Sequence, residues 1–227
     1  MKLLAPIEAV MKSPLIWVAA LMLGCAALQA AAADQLLTRS QALAQASSAD
    51  VKQRRAAVDR LGQIGLMSDA RVLLKALHDR DEATRALAQA SIWRVWSRSG
   101  DAKVDELFER GVQEMNIGAI ELAIETFTSV ITNKPEFAEG WNKRATLYFL
   151  AGEFDKSLKD CDEVLKRNPL HFGVLAGYGQ IYFQLEQPER ALDFFQRALK
   201  INPNMAGVAR SIEALKEIVG QRRGRVI

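Results

Sequence analysis

From residue 50 onward the apolar positions recur three and four apart, the spacing of one helix face, and Gly and Pro break the runs. Pro135, Pro169 and Pro203 are spaced by 34 and 34, and the same period aligns the residues between them. Leu107, Trp141 and Leu175 share one column, and Gly111, Ala145 and Gly179 share a second that is small throughout. Ala123, Ser157 and Ala191 form another small column, followed by Phe127, Cys161 and Phe195, then Val130, Val164 and Ala198.

That layout predicts helical hairpins. Small residues in mid-helix let two backbones approach, and large apolar residues three and four positions away fill the space beside them. A Pro just past the second helix stops it and sets the turn to the next unit. Gly118 and Gly152 mark the turn inside a hairpin, as residues after a helix C-terminus do. Pro188 falls in the first turn of a second helix, where Pro is tolerated.

Trp141, Ala145, Tyr148, Gly152, Phe154 and Pro169, then Leu175, Gly179, Tyr182, Ala191, Phe195, Ala198 and Pro203, with the stretch ERALDFFQRALKINP, resemble the tetratricopeptide repeat family. The resemblance implies an all-α fold, a right-handed α-solenoid of stacked helical hairpins, with three units in 100–205. A capping helix is expected over 206–219, because the amphipathic stretch after the last unit would cover its exposed end. The tail 220–227 is basic. In the first unit Arg110 and Glu114 replace apolar residues and are spaced for an ion pair.

Upstream, a shift of 31 aligns Asp50 with Asp81, Arg54 with Arg85, Leu61 with Ile92 and Ile64 with Val95. Residues 50–99 thus resemble a short HEAT-like segment: one helix pair and the first helix of a second. It is expected to stack on the tetratricopeptide units and extend one solenoid. The Ala-, Gln- and Ser-rich stretch 34–49 reads as a linker or frayed helix.

The first 33 residues follow the order of a secretory signal: Lys12, an apolar run over 15–28, small residues from Ala30 to Ala33, then Asp34. Cleavage is expected after Ala32 or Ala33, and Met11 is a second candidate start. Cys25 after Gly24 resembles a lipoprotein site, which makes lipidation the second reading and an uncleaved anchor the third. Each reading sends the bulk of the chain across a membrane, for a bacterial chain into the periplasm.

Composition narrows the chemistry. A net charge of +3 on 227 residues is no footprint for nucleic acid, and 2 Cys with 2 His leave little for a zinc cluster. No metal and no cofactor are expected, and no catalytic residue is assigned. His171 reads as a solvated loop residue, and His78 as a helix end that meets terminal carbonyls. Cys161, in a core column, reads as a buried inert thiol. Trp93 and Trp96 read as packing between the two repeat types.

The resemblance supplies a site, because in that family the first helices of successive hairpins line a concave groove. Carried over, the groove residues are Phe108 and Val112 in the first unit, Asn142, Lys143 and Phe149 in the second, and Gln180 and Phe183 in the third. The family's Lys and Asn clamp for a terminal carboxylate is missing: Phe108, Val112, Gly173 and Gly177 stand in its place. The expectation is a non-catalytic scaffold or adaptor that takes a protein, peptide or helix through apolar contacts. The alternative is a membrane-attached accessory subunit of an envelope assembly such as secretion, pilus or outer-membrane machinery.

Overall fold

The structure, a computed structural model, describes residues 36–224. The chain divides into a unit of residues Met1–Thr38 and a unit of residues Arg39–Ile227. The described residues form helices and no strand, all in the second unit: α1 (Arg39–Gln45), α2 (Val51–Ile64), α3 (Ala70–Ala76), α4 (Glu82–Trp96), α5 (Ala102–Asn116), α6 (Ile120–Asn133), α7 (Ala138–Leu150), α8 (Phe154–Arg167), α9 (Phe172–Gln184), α10 (Pro188–Ile201) and α11 (Ala206–Gly224). The signal, its cleavage sites and Cys25 lie outside the described residues.

Helices α5 to α10 are three hairpins, and the local chemistry of each boundary is visible. Asp101 caps α5 by accepting from the backbone N–H groups of Lys103 and Val104. Pro188 opens α10. Gly118 and Gly152 turn their hairpins at φ 77° and 75°. The third turn puts Glu186, in the same 34-residue column, at φ 57°. All three turns close alike: the next residue's N–H reaches back to Glu114, Tyr148 or Tyr182, the bond of a helix ending in the left-handed region.

Packing follows the small columns. A Cβ on Gly179 would lie 2.6 Å from the Phe195 ring, and one on Gly111 would lie 2.8 Å from Phe127. In the middle hairpin the small pair adds a hydrogen bond, Ser157 Oγ donating to Ala145 O at 2.7 Å. Cys161 is buried, and loss of solvent pushes its thiol up to about 12, with Asp160 adding to the shift. Helix α11 covers the last hairpin through Ile212 and Leu215, both buried.

Three expectations need correction. Residues 39–45 are a docked helix: Ala42 is fully buried, and Arg39 grips Asp69 with two hydrogen bonds of 2.6 and 2.7 Å. Arg110 and Glu114 do not pair; Glu114 Oε2 is buried without a hydrogen-bond partner. The third concerns the whole upstream segment.

Helices α2 to α4 do not extend the stack from its first hairpin. They fold back along the turns that join the repeats. At the third turn His78 Nε2 meets Ile201 O at 3.1 Å, Arg85 Nε donates to Asn204 Oδ1 at 2.9 Å, and Asn202 Nδ2 donates to Gln89 Oε1 at 2.9 Å. At the second, Trp93 and Trp96 pack on His171 and Phe172. At the first, Arg98 and Ser99 share a cavity wall with Lys134 and Phe137. Helix α4 therefore runs past the turns in reverse order. The aligned pairs remain locally equivalent: Asp50 and Asp81 both cap helices.

Candidate protein-binding groove

Two adjoining cavities open on the first helices of the second and third hairpins. One, of about 130 Å³, is walled by Asn142, Thr146 and Phe149 of α7 and by Gly173, Gly177 and Gln180 of α9. The other, of about 380 Å³, is walled by Phe149, Gln180, Phe183 and by Ser211, Leu215 and Ile218 of α11. Phe149 and Gln180 belong to both, so the two form one channel across α7, α9 and α11.

Glycine makes the floor. Gly177 has nothing within 4 Å of where a Cβ would stand, so its missing side chain leaves open depth. Phe183 is 51% exposed, a large apolar ring left facing solvent at the channel wall. The polar lining groups, Asn142, Thr146, Ser157, Gln180, Gln184 and Ser211, are all neutral, and Thr146 Oγ1 is tied to Asn142 O at 3.0 Å.

The structure brings together Asn142, Phe149, Gln180 and Phe183. It does not bring Phe108, Val112 or Lys143 to them. Phe108 is only 5% exposed and packs edge-on against Phe127 and Phe137, so it is core and not groove lining. Val112 packs against the same cluster. Lys143 lines neither cavity; its charge acts on Glu139. Ser211, Ala214 and Ile218 of α11 line the channel without having been expected there. Their signal was available: they stand one 34-residue period after Gly177, Gln180 and Gln184. The capping helix thus occupies the place of the first helix of a fourth unit.

His171 is a further correction. It is fully buried at the start of α9, stacked on Trp96 with ring centroids 4.3 Å apart. Its Nδ1 accepts the N–H of Val174 at 3.0 Å, so Nε2 carries the proton and donates to Glu139 Oε1 at 2.5 Å. Burial opposes charge on Glu139; the His171 contact, the Lys143 charge and the Asn142 hydrogen bond outweigh it and hold the carboxyl below its ordinary range. His78 meets a terminal carbonyl, but that of α10, across the fold. The pair of Trp93 and Trp96, edge to face at 5.4 Å, forms the junction packing.

Among the described residues no group of three or more His, Cys, Asp or Glu could hold a metal ion, and no helix is long and apolar enough to cross a membrane.

The tetratricopeptide repeat family model matches residues 142–206. A TPR repeat-containing protein of Rhizobium etli is 29% identical over 150 residues, 66% of this chain and 72% of its own. The Hsp70-Hsp90 organizing protein 1 of Glycine max is 24% identical over 63% of this chain, which spans only 25% of that protein's length. Among solved structures, the first TPR of Spaghetti (RPAP3) bound to HSP90 peptide SRMEEVD superposes with a TM-score of 0.51 at 21% identity, covering 53% of this chain and 96% of its own. MamA superposes at 0.50 with 17% identity, over 65% of this chain and 90% of its own. These matches indicate no enzyme family. Residues 142–206 are thus similar to tetratricopeptide repeats, and the described residues form an all-α solenoid of stacked helical hairpins.

Proposed function

We propose that the chain is a non-catalytic scaffold that holds a protein segment in the channel across α7, α9 and α11. The observation that carries this is the exposed Phe183 ring beside Phe149 over a glycine floor. An aromatic anchor in a preformed concavity is the arrangement in which a few residues supply most of the binding energy. The neutral lining favours an apolar peptide or amphipathic helix. The Spaghetti domain holds an acidic HSP90 peptide; here Phe108, Val112, Gly173 and Gly177 replace the cationic clamp, so a carboxylate terminus is not the ligand of this groove.

The order of Lys12, the apolar run and the Ala stretch supports export to the periplasm. Cys25 after Gly24 supports the second reading, a lipid-attached accessory subunit of an envelope assembly. A photo-reactive residue at Gln180 should crosslink a partner in the native envelope, and one at exposed Leu150, which lines neither cavity, should not. Equal yields from both positions would refute the groove. A reporter fused after residue 40 that stays active only in the cytoplasm would refute export, and mass analysis of the mature N-terminus separates cleavage from lipidation.

A further inference from the structure

A third cavity, of about 220 Å³, lies where the start of the repeats meets the upstream helices; Met67, Trp96, Arg98, Lys134, Phe137 and Asn168 are among its walls. Two of these residues carry buried hydrogen-bond donors without an acceptor: Trp96 Nε1 and Asn168 Nδ2. The residues are 3% and 6% exposed. An indole N–H can only donate, and leaving two such groups unmet in one place costs stability that native folds rarely give up.

The repeat itself provides the control. Asn168 and Asn202 occupy the same column, each just past the second helix of a hairpin. At the third turn Asn202 Nδ2 donates to Gln89 Oε1 at 2.9 Å. Two helical turns further along α4 stands Trp96, which lines the same cavity as Asn168 and offers a donor where Gln89 offers an acceptor. The fold that satisfies one asparagine therefore leaves its twin sharing a cavity with a second unmet donor.

The surrounding charge indicates what acceptor fits. Arg98 gives its hydrogen bonds to the carbonyls of Gly62, Gln63 and Gly65; among the described residues no carboxylate pairs with it directly, and Asp105 acts on it only from a distance. Lys134 has only a long contact of 3.9 Å with Glu136, which also lines the cavity but stands mostly in solvent. Glu139, also in the wall, is already held by His171 and Asn142. We propose that this cavity is a binding site for a carboxylate borne on a small apolar body. One end takes the two buried N–H groups and the cationic rim, and the other rests on Met67 and Phe137. The site is separate from the groove of the proposed scaffold function.

The test is NMR of the full chain, reading the Trp96 indole N–H and the Asn168 side-chain amide. Sodium butyrate, or a short peptide with a free C-terminus, should shift both signals to saturation; butyramide and the amidated peptide should not. Whichever carboxylate binds tighter identifies the source, a free acid or a chain terminus. Trp96→Phe keeps a ring against His171 and removes one donor, which should weaken binding about tenfold. Asn168→Asp puts a carboxylate in the site and should abolish it, with the melting curve confirming that the variant is folded. The proposal is overturned by the absence of a saturable shift, or by equal shifts from acid and amide. Wild-type affinity in Asn168→Asp, or a crystal structure in which Trp96 donates to Asn168 Oδ1 or to water alone, overturns it as well.

Discussion

Arg85 and Asn204 join the two ends of the described chain: Arg85 Nε donates to Asn204 Oδ1 at 2.9 Å, and Asn204 Nδ2 donates to Leu77 O at 2.8 Å. One repeat earlier Arg54 makes the corresponding contact with Asp79, through hydrogen bonds of 2.7 and 2.9 Å. Both arginines also hold the carbonyls just upstream of their own helix, Ser48 and Ala49 for Arg54, Asp79 and Arg80 for Arg85. Asn204 thus stands where a further upstream repeat would place its aspartate.

If that contact anchors the returning segment, Arg85→Ala and Asn204→Ala should each destabilise the fold and the pair should be non-additive. A coupling of about 1 kcal/mol is expected in urea melts of the double-mutant cycle. Strictly additive losses would show that the two side chains stabilise the fold independently.

Glu186 is in the left-handed region at φ 57°, where the other two hairpins have glycine. A side chain there costs about 1 kcal/mol that glycine avoids. Glu186→Gly should therefore raise stability by roughly 0.5–1 kcal/mol, although glycine lowers it at most sites. A lower melting temperature would contradict the strain assigned to this turn.

Phe108 and Phe183 should respond in opposite ways. Phe108→Ala empties a core position and should cost about 3–5 kcal/mol. Phe183→Ala removes a half-exposed ring and should cost under about 1 kcal/mol of stability while weakening partner binding by tenfold or more. Thermal melts together with crosslinking yield separate the two; similar destabilisation by both would make Phe183 a core residue.

Acid should unfold the protein through its held carboxylates. Hydrogen bonds from Arg39 and Arg54 lower Asp69 and Asp79, and Glu139 is also lowered although burial opposes it. A folded value below the unfolded one gives stability that is complete above the ordinary values of 3.8 and 4.5 and is lost as pH falls through the folded values. The melting temperature should be level between about pH 7 and 5 and fall below about pH 4. Asp79→Asn should start lower and fall less steeply; a parallel fall would exclude Asp79 as a contributor.

The hairpins were legible because a column in a 34-residue repeat fixes both spacing and facing. The same arithmetic misplaced Phe108. Its column holds Asn142 and Ala176, but Val104, Phe108 and Gly111 form their own apolar stripe, and the unit at the end of the stack turns that stripe to Phe127 and Phe137. His171 was misread as a loop residue although its column neighbours, Phe137 and Met205, are both apolar and both packed. The return of α4 along the turns was not legible. Periodicity says which residues are equivalent, and carries no information about the surface on which a second, 31-residue repeat comes to rest.

A stack of hairpins behaves as a spring: its curvature changes when successive units tilt about the turns that join them. Here α4 and the residues flanking it touch two of those hinges, at 201–204 and at 171–172, and face the third, at 134–137, across a cavity. A splint on the hinge side fixes the pitch of the coil and, with it, the width of the channel on the opposite helices. A ligand of the matching width then meets a surface already in its bound shape, and a wider one gains nothing from flexing.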